Sequence, residues 1–403
     1  MFVTLHKKIV RLMAFLLFSI LLYQCSNQPN LSSTDRLSRS QDTPIKNIIF
    51  LIGDGMSLGQ ITLGRLKAHG VEGKLNVEKM PITGYLYTHC ADNLITDSAA
   101  GATELSTGFK TNKGMIGVLP DSTAVLTLLE YFRDNGKATG MVVTSSITHA
   151  TPAGFAAHVP YRKQETEIAE QLVDSNIDVL LGGGKQFFLP QEDTLSVRKD
   201  SRNLIAEAQK KGYQFVDTRD KLLRVKKTRV LGLFQKDGLE HKPEEPTLAE
   251  MTEKALSLLT EDPDGFFLMV EGSQIDWGGH RNDPDYVAEE MLGFDKAIKV
   301  ALEFARKEGN TLVIVTADHE TGGLSITGGK KNGKNLEVRW TSTYHTAMPV
   351  PIFAYGPYSD EFSGVHDNTE VPRIIARIMG IDNFPRKLNY RVTASGKKQN
   401  GHN

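Results

Sequence analysis

Asp, Glu and His recur in this sequence just downstream of short apolar runs, a placement that suits metal-assisted chemistry. Asp54 follows Asn47–Ile52, and His149 and Thr151 follow Ala138–Thr144. Glu271 directly follows Val270, and Asp318 and His319 follow Thr311–Thr316. One carboxylate after a strand is ordinarily a turn or cap residue. Four runs that each deliver ligand-type residues point to a shared site. Such a set, without thiolates, suits Zn²⁺, Mn²⁺ or Mg²⁺. Asp276 and His280 are four residues apart, which places both on one face of a helical turn. His345, ahead of Val350–Tyr355, could complete their ligand group, although a lone loop histidine is more often no ligand at all. The candidate nucleophile is Ser98, in Thr96-Asp97-Ser98-Ala99-Ala100-Gly101-Ala102-Thr103. The small residues allow a helix to pack closely. A serine in its first turn would meet unpaired N–H groups and the positive dipole end, which favour an anion. The plainer reading is that Thr96 or Ser98 merely caps the helix.

Other motifs fail. Gly53 to Gly59 lacks the G-x-G-x-x-G spacing, and Leu181 to Gln186 lacks the outer glycine and hydroxyl residue of a P-loop and reads as a turn. His319-Glu320 is not followed by a second histidine at metalloprotease spacing.

The elements that must position these groups are legible as apolar runs separated by helical periods. Asn47–Ile52, Ala138–Thr144, Ile177–Leu181, Gly265–Val270, Thr311–Thr316 and Val350–Tyr355 suit strands buried on both faces. Val287, Met291, Phe294, Ile298, Ala301 and Ala305 repeat at helical spacing before Gly309. Ser122 is a candidate cap for a helix bearing Val125, Leu128, Leu129 and Phe132. The alternation predicts an α/β fold, a mostly parallel central sheet with helices on both faces, whose strand ends share one ligand-binding edge.

The chain has 403 residues, 40% hydrophobic and 24% charged, which excludes a collagen-like, coiled-coil or wholly disordered protein. Its formal net charge of −1 argues against a general nucleic-acid partner. His6, Lys7, Lys8 and Arg11 precede the apolar run Leu12–Tyr23. That run is shorter than the ~20 residues a transmembrane helix needs and reads as a signal-peptide core. Leu22-Tyr23-Gln24-Cys25 resembles a bacterial lipoprotein box, so lipidation at Cys25 is the leading reading, with a plain cleaved signal or an uncleaved anchor as alternatives. Each exports the chain, to the periplasm or cell surface. Cys90 then reads as a small semi-buried residue. The expected organisation is a signal peptide over 1–24, a flexible tether over 25–44, one catalytic domain over 45–390 and a disordered tail over 391–403. Residues 191–247, charged and irregular, read as a surface insertion.

Together, Phe50 to Met56, Thr96 to Thr103, Val270-Glu271 with Asp276 and His280, Thr316 to Glu320, and His345-Thr346 resemble the alkaline phosphatases, in order from about Ile45 to Pro357. The resemblance implies a metal-dependent phosphomonoester hydrolase that acts on small phosphomonoesters through a phosphoserine at Ser98. It implies two Zn²⁺, one held by Asp276, His280 and His345, the other by Asp54, Asp318 and His319. A third ion, usually Mg²⁺, falls to Asp54, Thr151 and Glu271. Arg162, which in its own context reads as an exposed charge, becomes the phosphate clamp. Asp97, His149 and Trp277 fall near the third metal or the phosphate. His149 stands where some bacterial members carry aspartate, and Trp277 where they carry lysine; the pair resembles another bacterial subgroup. An imidazole there softens the preference for Mg²⁺ and admits Co²⁺ or Zn²⁺. Only 25 residues lie between His319 and His345, so the family's crown insertion is small or absent. Homodimerisation is an expectation from the family. The rival readings are a phosphodiesterase or sulfatase of the same superfamily, and a non-catalytic phosphate- or metal-binding lipoprotein. The third-metal set and Arg162 favour monoesters, and no sulfatase Cys/Ser motif is present.

Overall fold

The computed structural model describes residues 43–400; the segment read as a signal peptide, Cys25 and nearly all of the expected tether lie outside the described residues. Asn47–Gly53 (β1) is buried along its whole length, as a continuous apolar run requires. It sits inside a ten-stranded sheet with Ile82–Tyr87 (β2), Ala138–Ser146 (β3), Val179–Gly183 (β4), Gln214–Val216 (β5), Val230–Leu233 (β6), Phe266–Gly272 (β7), Thr311–Thr316 (β8), Val350–Tyr355 (β9) and Gly364–Asp367 (β10). The order is β10-β2-β9-β8-β1-β7-β3-β4-β6-β5. All pairings are parallel except those of β9 with β2 and β8, so β9 alone runs against the rest.

Helices cover the sheet in two groups. Ser98–Thr107, Leu128–Asp134 and Ala150–Ala156 pack together, and Leu58–His69, Leu248–Leu259 and Pro284–Glu308 form the other. The long helix Pro284–Glu308 buries the apolar series expected from its period. Asp283 caps it by accepting from two backbone N–H groups, and Gly309 ends it at φ 75°.

Several expectations need correction. Ser122 is no helix cap; it turns at φ 64° into a strand, Thr123–Val125. The helix begins at Leu128, where Thr127 and Glu130 bond reciprocally to each other's backbone N–H. The tail from 391 is not disordered through residue 400: Lys387–Val392 pairs with Lys398–Asn400 and with Thr123–Val125. Alternate residues Leu388, Tyr390 and Val392 pack on Met115, Val118 and Ala124, a period-two face hidden among lysines and serines. Residues 191–247 are not merely an irregular insertion, because they supply β5 and β6 to the main sheet. β9 is antiparallel because it returns between β2 and β8. Cys90, expected semi-buried, is a buried free thiol.

One buried ion pair braces this frame. His158 directs Nδ1 at the Gly117 carbonyl (2.7 Å) and Nε2 at Glu130 (3.0 Å). Two acceptors require both ring nitrogens to carry protons, so His158 is a cation. Burial opposes that charge, but Glu130 and the carbonyl hold its pKa above the ordinary value. Its contribution is therefore full below the unfolded pKa of about 6.5 and fades as pH rises through the raised folded value. Burial also opposes the Glu130 charge, yet His158 holds it down to about 2. That contribution is present above about pH 4.3 and is lost as pH falls towards the folded value. Glu130→Gln strands the imidazolium and should destabilise by about 3–5 kcal/mol. In urea unfolding the deficit should be larger at pH 6 than at pH 9.5; a pH-independent deficit would show that His158 carries no charge.

Candidate active site

Strand register places the acidic residues before any side chain is considered. Ile52 of β1 pairs with Glu271 of β7 on one side and with Thr316 of β8 on the other. Asp54, Glu271 and Asp318 therefore emerge together at the C-terminal edge. Val143 of β3 pairs with Glu271, and the chain beyond β3 brings His149 and Thr151 to the same edge. The antiparallel β9 begins where its parallel neighbours end, so His345, just ahead of it, arrives there too. A two-residue ladder pairs Thr321 with His345 and locks the Asp318-His319 turn to it.

Three donor groups result, each with ligand atoms within 4.8 Å of one another: Asp54 with Asp318 and His319, Asp54 with His149 and Glu271, and Asp276 with His319 and His345. Asp276 and His280 share one helical turn, and His280 Nε2 lies 3.3 Å from Asp276. His345 Nε2 lies 3.5 Å from Asp276 and 3.2 Å from His280 Nε2. Nδ1 of His280 donates to the Thr343 carbonyl and Nδ1 of His345 to that of Thr96, both at 2.8 Å. These bonds fix the tautomers and leave both Nε2 lone pairs facing inward, as metal ligation requires.

The residues fit bound cations. Both Asp54 oxygens, Glu271 Oε1, Asp318 Oδ2 and Thr151 Oγ1 are buried without a hydrogen-bond partner. Unpaired buried charge is costly, and here burial and then mutual repulsion push the protein's own carboxyl groups towards protonation. Asp54 is raised well above the usual range, Glu271 to about 8 and Asp318 to about 6. Burial also acts on Asp276, but the neighbouring His280 and His345 rings hold it well below that range. Burial and neighbouring cationic groups depress His319.

Ser98 opens its helix, and Asp97, not Thr96 or Ser98, is the cap, accepting from the Ala100 N–H at 3.1 Å. The Ser98 hydroxyl is thereby free; it lies 3.3 Å from His319 Nε2. The small residues do what their size suggests. A Cβ on Gly101 would lie 2.9 Å from the Asp318 carbonyl oxygen, and one on Gly154 2.8 Å from Ala102 Cβ. Arg162, far from a free surface charge, donates to Asp97 at 2.9 Å and to His149 Nε2 at 3.3 Å. Accepting from a guanidinium requires a neutral imidazole, and burial followed by Arg162 pushes His149 down to about 3. Burial would raise Asp97, but Arg162 holds it below the ordinary value. Trp277 stands edge-on to His149 with centroids 6.4 Å apart.

Sequence reasoning missed the supports. Thr321 bonds Asp276, while Glu320 binds the Gln60 amide and the Gly323 and Leu324 N–H groups. Gly238, inside the supposed insertion, backs Trp277 so closely that a Cβ would lie 2.4 Å from the indole. The ladder residues adjoining His319 were the one available signal. Between His319 and His345 the structure places only that ladder and the hairpin of Ser325–Gly328 with Glu337–Arg339.

The same order of groups recurs in known proteins. A family model described as Alkaline phosphatase matches residues 45–336 and 330–381. Alkaline phosphatase 3 of Bacillus subtilis is 37% identical over 87% of this chain and 92% of its own. The Escherichia coli alkaline phosphatase is 34% identical over 84% of this chain and 87% of its own. The solved alkaline phosphatase of the Antarctic bacterium TAB5 superposes with a TM-score of 0.77 at 36% identity, covering 84% of this chain and 98% of that one. A histidine-to-aspartate variant of the TAB5 enzyme has Mg bound in its M3 site. With matches that span the sheet and every strand end bearing a ligand-type residue, the chain belongs to the alkaline phosphatase family.

Proposed function

We propose that this phosphomonoester hydrolase transfers the phosphoryl group first to Ser98 and then to water. The observation that carries the reading is the uncapped Ser98 hydroxyl at a helix N-terminus, set among orphaned carboxylates and facing His319. Asp276, His280 and His345 would hold one Zn²⁺; Asp54, Asp318 and His319 a second. Asp54, Thr151 and Glu271 would hold Mg²⁺, with Co²⁺ or Zn²⁺ as competitors because His149 adjoins the group. Bound there, such cations favour alkoxide and hydroxide nucleophiles and stabilise the departing oxygen.

The chain's own residues do the rest. The Arg162 guanidinium, held on its other edge by Asp97, presents paired N–H groups to two phosphoryl oxygens. Ser98 Oγ attacks phosphorus as the ester bond breaks in line, and the alcohol leaves. Water then attacks the phosphoserine, releasing phosphate and restoring Ser98. Two inversions give net retention at phosphorus.

Purified protein should hydrolyse p-nitrophenyl phosphate in strong preference to bis-p-nitrophenyl phosphate and p-nitrophenyl sulfate. EDTA should abolish this and Zn²⁺ with Mg²⁺ or Co²⁺ should restore it. Ser98→Ala should lower kcat on the order of 10³-fold or more while phosphate still binds. A diester or sulfate preference moves the protein to a sister activity, and inactivity with every metal supports a binding lipoprotein.

Export with a lipid at Cys25 is the proposed location, supported by the Leu22 to Cys25 box. Among the described residues no helix is long and apolar enough to cross a membrane. Cys25→Ala should move the protein from the membrane to the soluble fraction; unchanged membrane retention would mean an uncleaved anchor. A homodimer is proposed through an apolar cleft of about 630 Å³ flanked by exposed Leu58, Tyr85, Tyr87, Met348 and Val365. Sedimentation equilibrium should show a dimer that Met348→Glu weakens, and a monomeric wild type would exclude it.

A further inference from the structure

Two residues at the mouth of the site take no part in the steps above. Tyr344 is 44% exposed and lies flat against His345, with ring centroids 4.4 Å apart and planes 11° from parallel. The same ring stands 5.7 Å from that of His280. The Lys113 ammonium lies over Tyr344, 4.8 Å from the ring centroid. The Tyr344 ring is thus stacked on the imidazole and lies within cation–π distance of the ammonium. Among the described residues Lys113 forms no ion pair with a carboxylate. The nearby Asp92 is engaged instead by the Lys113 backbone N–H, at 3.0 Å.

The loop that carries Lys113 is tied to the phosphoryl end of the site. The Gly114 N–H donates to Asp97 at 3.0 Å, and the Gly114 carbonyl accepts from the Arg162 N–H at 2.8 Å. Lys113 is therefore held in register with the phosphate clamp. Depth fixes the direction of departure. Ser98 and His319 are buried at the floor, whereas the His280 side chain, 33% exposed, and Tyr344 stand at the opening. An alcohol that leaves opposite Ser98 Oγ must pass His280 and His345 and meet Tyr344 and Lys113.

We infer that Lys113, seated on Tyr344, forms a leaving-group subsite that binds a carboxylate or second phosphate on the alcohol portion of the substrate. This rests on the hydrolase reading above and names the substrate class of that site. An ammonium with three donors and no protein counter-ion, steadied on an aromatic face, offers charge-assisted hydrogen bonds to an anion. Lys113 acts on specificity, and Tyr344 is its positioning residue.

The test compares 3-phosphoglycerate with glycerol 3-phosphate, which differ only by a carboxylate in place of a hydroxymethyl group. The metal-loaded wild type should favour phosphoglycerate in kcat/KM. Lys113→Ala should reduce that ratio about 5–10-fold, mainly through KM for phosphoglycerate. Lys113→Arg should keep the preference and Lys113→Glu should reverse it. Tyr344→Leu should weaken it, and Tyr344→Phe, which retains the ring, should preserve it. If both substrates are hydrolysed and Lys113→Ala leaves their ratio unchanged, or slows both equally, the subsite does not exist while the hydrolase reading stands. If the wild type hydrolyses neither, the hydrolase reading itself fails.

Discussion

Asp54, Glu271 and Asp318 are set side by side by strand register, and among the described residues no lysine or arginine forms an ion pair with any of them. Burial first, and repulsion between neighbouring carboxylates after it, disfavours their charged forms. Burial by itself would protonate them, and the pKa values of Glu271 and Asp318 rise accordingly. Much of the neighbouring structure manages this conflict. Glu320, one residue beyond His319, spends its carboxylate on backbone and amide donors and so adds no further unpaired charge. Arg162 approaches closely enough to lower Asp54, yet its firm bonds go to Asp97. The acidic set is thereby left available to cations while the clamp stays oriented towards an anion.

The second constraint is distance between backbones. A serine can face His319 only if its helix comes almost into contact with the strand-end turn, and Gly101 permits that approach to the Asp318 carbonyl. The same helix must admit Ala150–Ala156, which carries Thr151, and Gly154 against Ala102 permits that one. An added methyl at either place overpacks the contact, an effect of about 1–3 kcal/mol in well-packed interiors. The run of alanines and glycine is thus a spacer that sets how far the nucleophile stands from the acidic cluster.

The groups closest in sequence to strand ends were the most legible. Asp54, Glu271, Asp318 and His319 follow apolar runs, and a parallel sheet collects such residues without further information. His345 was harder, since it precedes its strand, and only the reversed direction of β9 brings it to that edge. Arg162 gave no local signal because its role comes from Asp97 and His149 across the site. Ser122 and the polar tail misled for a shared reason. The strand Thr123–Val125 and its partner Lys387–Val392 are stabilised by each other across most of the chain, and local propensity does not register such pairing. Trp277 was visible as a departure from relatives, but the glycine that accommodates it lies in a segment whose composition looked like loop.

The placement of β1 bears on how the chain reaches its fold. Ile48 pairs with Phe267 on one side and with Leu312 on the other, so the first strand of the sheet is flanked by two of the later ones. A chain emerging amino end first presents this very apolar segment long before either neighbour exists. Non-local pairing of this kind slows folding, because a long loop must close before contacts reward it. On the proposed export of this chain, slow closure would keep the polypeptide threadable during translocation, since the central strand cannot be sealed until its carboxyl half has followed. It also leaves a sticky, unpaired strand exposed in the interim, which makes β1 the segment most in need of protection by a holding chaperone.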